Sequence, residues 1–468
     1  MEITFIKNNE EVRGIESNIF YLNPKNNKSS ISTDVENLWR MFGVKAVEPI
    51  IEDLLVIGIA VFTIDKKFSR KNSSDNWTRK IKVNIPVIEF DKINQEKESF
   101  EKCISFLTGD EWTFNFYKTS EIFRGDKLNN KYNIKNKADY DCVSLFSGGL
   151  DSYCGALSLL KESSNPFFVS FKEYHSIKSR QEELLNEIIE SYCDSNVGHA
   201  QFGVSPKKPH ELLDALITGE STSRSRSFLF IVGALVIASI IGEGTKIHIP
   251  ENGFIGINVP LTPSRLGSCS TRTTHPYFIK TLNEIFMNLG MNHEVVNIYS
   301  AKTKGEIVNI HKENHVFKNS YYKTLSCSHP CQSRYDKISP PINCGYCYPC
   351  LIRKASVVTN GLKDIGYNPK YKLDKEFLLN NPKLDGKASD LKALLYSIKR
   401  FKMNENNVRY IRSLLKIQGP LTKEEVDQYE RVYRESMNEL LSLIACIDQS
   451  NSDDMKIMQY IGELEYSV

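Results

Sequence analysis

The chain has 468 residues, 41% of them hydrophobic, which is enough for two to four domains with a sizeable core and excludes global disorder. Its 60 basic and 57 acidic residues leave a formal net charge of +3, which gives no support for a broad nucleic-acid footprint. Eleven cysteines, an odd number in a long chain whose start (Met1 to Phe5) lacks a basic stretch followed by an apolar one, argue against a secreted disulfide scaffold and for a reducing cytoplasm.

Residues 1–125 read as a small α+β domain suited to docking a partner. Helices are expected over Asp34–Phe42, Val47–Phe62 and Lys97–Leu107. Arg79–Val87 and Trp112–Phe116 alternate polar with β-branched or aromatic residues, as half-buried strands do. The apolar run Pro49–Ile64 is broken by Glu52 and Asp53, and Phe228–Gly242 is only 15 residues long. Both are expected to be buried in a soluble protein rather than to span a membrane, which takes ~20 apolar residues. Residues 126–140, polar and rich in Asn and Lys, read as a linker.

From residue 141 to 325, strand and helix patterns alternate. Strands are expected at Cys142–Phe146, Phe167–Phe171, His199–Val204, Lys246–Ile249 and Glu294–Tyr299. Helices are expected at Tyr153–Leu160, Ser176–Ser191, Thr222–Ile241, Pro276–Leu289 and Lys304–Asn314. Such alternation implies an α/β fold, a doubly wound parallel sheet with helices on both faces. Residues 363–468 are charged and helical, with apolar spacing over Asp390–Phe401 and Lys423–Ile447, and read as a helical docking or oligomerisation region.

Ser147-Gly148-Gly149-Leu150-Asp151-Ser152 lies between the first of those strands and its helix. Two glycines allow backbone angles that turn successive amides inward, and the following helix points its positive end at the same place. Ser147 and Ser152 add hydroxyls, and Asp151 supplies a carboxylate to orient Mg2+ or the loop itself. Such a loop suits the phosphate chain of ATP. No Gly-Lys-Ser or Gly-Lys-Thr follows, so it is not a Walker loop.

Residues 326–362 hold a second constellation. Cys344, Cys347 and Cys350 stand at i, i+3 and i+6, and Cys327 lies seventeen residues upstream. Four thiolates suit tetrahedral Zn2+ in a closed, structural site. Cys331 and His329 are possible substitutes for Cys327.

The pattern Ser-Gly-Gly-x-Asp-Ser resembles the signature of the PP-loop ATP pyrophosphatases, the adenine nucleotide alpha hydrolase fold. With the cysteine cluster it resembles 7-cyano-7-deazaguanine synthase over residues 141–360, roughly half the chain. Within that resemblance, Ser225-Arg226-Ser227-Phe228-Leu229 looks like the family's Arg-Asn-x-x-Phe stretch and Lys304-Gly305-Glu306-Ile307 like its Lys-x-Glu-Ile stretch. Arg226 and Lys304 are thereby implied as cations for the leaving pyrophosphate, beside Asp151. Glu251–Phe254 through Arg272–Pro276, and Phe171–His175, depart from the family's substrate-holding segments. A synthase-like core with added domains looks like the deazaguanine-synthase-like component of the bacterial Qat anti-phage defence system, which implies partners from a defence operon.

The expected reaction is adenylation of a 7-deazaguanine carboxylate, followed by amide transfer to a partner protein's amine. Free 7-cyano-7-deazaguanine synthesis from ammonia, tRNA thiolation and a non-catalytic nucleotide-binding scaffold are the alternatives. Among the histidines, His275 and His175 are candidates for substrate contact, and His311 and His315 read as a surface pair on one helix face.

Overall fold

The computed structural model describes all residues except 8–17, 23–29, 124–133, 173–174, 207–218, 221–223, 266–271, 384–385 and 459–468. Most of the expected linker, parts of both departing segments and the His175 side chain lie outside the described residues. The architecture is α/β, with two parallel sheets and one short antiparallel pair.

The strands are β1 (Glu2–Lys7), β2 (Asn18–Leu22), β3 (Ile31–Thr33), β4 (Lys80–Val87), β5 (Glu111–Lys118), β6 (Cys142–Leu145), β7 (Pro166–Phe171), β8 (Gly198–Phe202), β9 (Val204–Pro206), β10 (Ile247–His248) and β11 (Val295–Val296). The first sheet runs β2-β1-β4-β5, with every pair parallel. The N-terminal block is therefore parallel α/β where the sequence suggested α+β. Helix Lys97–Thr108 returns the chain from β4 to β5, and a helical return forces parallel pairing. Helix Asp34–Phe42 shrinks to Asn37–Arg40.

The second sheet runs β11-β10-β6-β7-β8, again wholly parallel. Its central strands β6 and β7 are buried on both faces. Val143, Leu145, Phe167 and Val169 join the apolar cluster on one side, and Cys142 and Phe168 join the cluster on the other. The chain runs β6, β7, β8 to one edge and then crosses to β10 and β11 on the other. The order therefore reverses beside β6, which is where ligands bind in such sheets.

Helix Pro49–Lys67 explains the first apolar run. It packs against the first sheet and against helix Arg226–Ile241 of the second, and it is buried from Ile50 to Asp65. Its two interrupting carboxylates are satisfied locally. Glu52 pairs with Lys7 and accepts from the Phe123 amide, while Asp53 accepts from the amides of Ile88 and Glu89 at 2.8 Å each. No helix among the described residues is long and apolar enough to cross a membrane.

The C-terminal helices Ser389–Met403, Val408–Lys416 and Lys423–Gln449 share one apolar cluster with Cys344, Cys347 and Cys350. Helix Lys423–Gln449 lies along helix Tyr348–Thr359 and against Gly253–Ile257.

At Gly58 the two long helices come close. A Cβ there would stand 2.7 Å from Val232 Cγ2. Gly58→Val is expected to destabilise the protein by about 1–3 kcal/mol in denaturant unfolding through this overpacking.

Candidate functional site

The loop leaves β6 at the reversal of strand order. Gly148 takes φ +81°, and a side chain there would meet Gln181. The chain then enters helix Leu150–Lys161, whose first turn carries Asp151 and Ser152. Ser147 is exposed, so the loop faces solvent. Its hydroxyl stands 3.1 Å from that of Ser152 and accepts from the Gly149 amide at 3.3 Å. Ser152 Oγ donates to the Gly149 carbonyl at 3.0 Å. The hydroxyls of Ser147 and Ser152 and the amide of Gly149 thus meet around a left-handed turn, an arrangement that can take the oxygens of an anion.

The structure brings together most of the residues singled out from the sequence. Lys304 Nζ lies 3.0 Å from Asp151 Oδ1, and both side chains are nearly buried. Asp151 Oδ2 accepts from Asn252 Nδ2 at 2.7 Å. Asn252 follows β10, so the carboxylate bridges the two strand ends that flank the reversal. Thr303 caps the helix that begins at Lys304 and forms a capping box with Glu306. Arg226 begins helix Arg226–Ile241 with its side chain exposed, and its charge reaches the Glu251 carboxyl.

Glu251 carried no role in the sequence beyond lying in a departing segment. Burial and the neighbouring Asp151 charge push its carboxyl up to about 8, against the opposing pull of Lys304 and Arg226. Gln181 was also missed. It is buried, donates to the Ser147 carbonyl at 3.1 Å and accepts from Gln201. A glutamine in the middle of an amphipathic helix gives no sequence signal of this kind.

The four thiols of Cys327, Cys344, Cys347 and Cys350 lie within 4.8 Å of one another. The separations of 3.8 Å (Cys347 to Cys327) and 4.0 Å (Cys344 to Cys350) are far too long for disulfides. They match the edge of a tetrahedron with Zn–S bonds of about 2.3 Å, which is about 3.8 Å. The amides of His329 and Cys344 donate to Cys327 Sγ, and that of Cys347 to Cys344 Sγ, as thiolates require. Cys327 fills the fourth place, rather than His329 or Cys331.

This cluster also braces the glycine loop. Ser326, beside Cys327, accepts from the Leu150 amide at 3.3 Å, and the Leu325 amide donates to the Gly148 carbonyl at 2.8 Å. Asn343, beside Cys344, accepts from the Ser326 amide at 3.0 Å and donates to the Thr324 carbonyl at 2.9 Å.

Two histidine expectations are corrected. His275 is fully buried and caps helix Pro276–Asn288, accepting from the Tyr277 amide at 3.2 Å; burial pushes it down to about 3. It is a neutral cap, not a substrate contact. His311 and His315 form no surface pair. The helix ends at His311, a second begins at His315, and only His315 is exposed. His311 is buried 3.0 Å from Ser158 Oγ. Asn314, whose side chain caps the second helix, interrupts the periodicity that joined them.

A cleft of about 580 Å³ is lined by Phe42, Val47, Ile134 and Ile240 among others and includes no residue of the loop or the cysteine cluster. No protein-family model matches the chain, and no curated protein matches it either.

One zinc ion per chain is expected by elemental analysis, with loss of the metal and a lowered Tm in Cys347→Ser. Faster hydrogen exchange at the Leu150 and Leu325 amides should accompany that loss, because the bracing segment hangs from the cluster.

Proposed function

We propose that the chain is an ATP-dependent, AMP-forming ligase of the PP-loop type. The single observation that carries this reading is the meeting of Asp151 with Lys304, 153 positions apart in sequence, at the end of the central strand and directly beside the glycine loop. A phosphate-binding turn needs a cation aimed at the charge that develops on a leaving pyrophosphate, and Lys304 is held where it can serve.

In this reading the loop amides and the hydroxyls of Ser147 and Ser152 hold the ATP phosphates. Asp151 would hold Mg2+, which when bound would neutralise phosphate charge. A substrate carboxylate oxygen attacks the α-phosphorus, the bond to the β-phosphate oxygen breaks, and pyrophosphate leaves against Lys304 and Arg226. An amine nitrogen then attacks the acyl carbon, AMP departs and the nitrogen loses a proton. The tetrathiolate cluster takes no part in these steps and serves to brace the loop.

The substrate assignment rests on the resemblance of the loop and cysteine pattern to 7-cyano-7-deazaguanine synthase, and favours 7-carboxy-7-deazaguanine. The amine is assigned to a partner protein of a bacterial anti-phage defence operon of the Qat kind, since the regions flanking the synthase-like core offer surface for one.

Pyrophosphate release from MgATP with 7-carboxy-7-deazaguanine and the operon partners is expected above background. It should fall by about 10²–10³-fold in Lys304→Ala and Asp151→Asn. Intact-mass measurement of the co-expressed partner should show an added deazaguanine amide. A wild-type rate equal to background would sink the adenylation reading, and an unmodified partner alongside free nitrile product would replace the protein acceptor with ammonia.

A further inference from the structure

Both candidate cations begin a helix, and each helix start is held by a carboxylate from outside residues 141–362. At Arg226 that carboxylate is Asp65, from the end of helix Pro49–Lys67. Its Oδ2 accepts from the Arg224 amide at 2.7 Å, the Ser225 amide at 2.9 Å and Ser225 Oγ at 2.9 Å. At Lys304 it is Glu439, from helix Lys423–Gln449. It accepts from Thr303 Oγ1 and from the Gly305 amide at 3.1 Å, the residues on either side of Lys304. Both carboxylates are buried.

The two contacts are closely fitted. A Cβ on Gly305 would stand 2.3 Å from Glu439 Oε1, so only glycine admits the carboxylate. Asp65 is itself fixed by Arg79, whose Nη2 lies 2.6 Å from Asp65 Oδ1 and whose guanidinium also binds Asp110. Burial works against the Asp65 charge, but Arg79, the Ser225 amide and Arg70 hold its carboxyl below the ordinary value. A carboxylate over a helix start is electrostatically favoured. Here each takes an amide next to the cation, that of Ser225 before Arg226 and that of Gly305 after Lys304. Burial pushes the Glu439 carboxyl up to about 7 against its hydrogen bonds from Thr303 and Gly305.

We propose that Asp65 and Glu439 are positioning residues for the nucleotide site, fixing Arg226 and Lys304 from behind. The N-terminal block and the C-terminal helices thereby complete the site rather than only present surfaces to a partner. This rests on the ATP reading above. Displacing a charge-stabilising group by about 1 Å can cost on the order of 10²-fold, and the loss falls on the transition state more than on bound ATP.

The test uses the full chain with the operon partners, and pyrophosphate release from MgATP and 7-carboxy-7-deazaguanine is the readout. Glu439→Gln and Asp65→Asn are expected to lower kcat by about tenfold or more while KM for ATP changes by less than about threefold. The double variant Lys304→Ala/Glu439→Gln should be no slower than Lys304→Ala alone, because Glu439 acts only through that lysine. Arg226→Ala/Asp65→Asn should behave likewise. Should Asp65→Asn fail to fold, Ser225→Ala removes one of the three contacts and should again show no added loss on top of Arg226→Ala. Losses that multiply in the double variants, or wild-type rates in the single ones, overturn the positioning role. A wild-type chain that binds no MgATP in calorimetry and releases no pyrophosphate overturns the ATP reading instead.

Discussion

The Asp151–Lys304 ion pair is the contact around which the site is arranged. Two charges held nearly out of water are costly unless each is met by further polar groups. Here Asn252 takes the second carboxylate oxygen, and the helix that carries Lys304 is capped at Thr303. Those partners come from three separate connections: the loop after β6, the segment after β10 and the turn after β11. They can meet only where strand order reverses. The pair is therefore a consequence of the sheet topology as much as of its own chemistry.

The flanking regions obey the same constraint. Helix Pro49–Lys67 and helix Arg226–Ile241 are both strongly apolar, and each is the other's cover. Dense packing of this kind leaves little room for independent movement. The buried cluster of Arg70, Arg79, Asp65 and Asp110 adds direction to that contact. Arg79 and Arg70 both bind Asp110, and Arg79 also binds Asp65, so the end of the helix cannot turn without exposing unpaired charge. On the opposite flank, the C-terminal helices share their apolar cluster with three of the four cysteines. The cysteine cluster, the loop brace and helix Lys423–Gln449 thus belong to one packed body.

Much of the site was legible because its chemistry needs particular residue types close together in sequence. Gly148 and Gly149 announce a turn that other residues resist, and Cys344, Cys347 and Cys350 announce a thiolate knuckle. Glu251, Gln181 and Glu439 were not legible. A carboxylate or amide in a helix or loop reads as a solvated group, and nothing local marks it as buried. His311, read as a surface group, is likewise buried, against the Ser158 hydroxyl. His275 failed in the opposite sense: a histidine suggests chemistry, but this one is consumed by a helix cap. The N-terminal sheet was half visible: β4 and β5 alternate cleanly over eight residues each, whereas β1 and β2, of six and five residues, offer too short a pattern to stand out.

The local devices are written in short stretches of chain: the glycine turn after β6, the spacing of Cys344, Cys347 and Cys350, the alternation that builds a parallel sheet, and apolar runs too short or too interrupted to span a membrane. These depend on neighbours within a few residues, where backbone geometry and side-chain periodicity act directly. It takes the folded chain to show that Lys304 meets Asp151, that Cys327 rather than His329 or Cys331 joins the cluster, and that Asp65 and Glu439 close over the two cationic helix starts. Those choices join residues from 17 (Cys327 to Cys344) to 160 (Asp65 to Ser225) positions apart, and they are made by which strand ends the sheet brings together and which buried charges must be satisfied there.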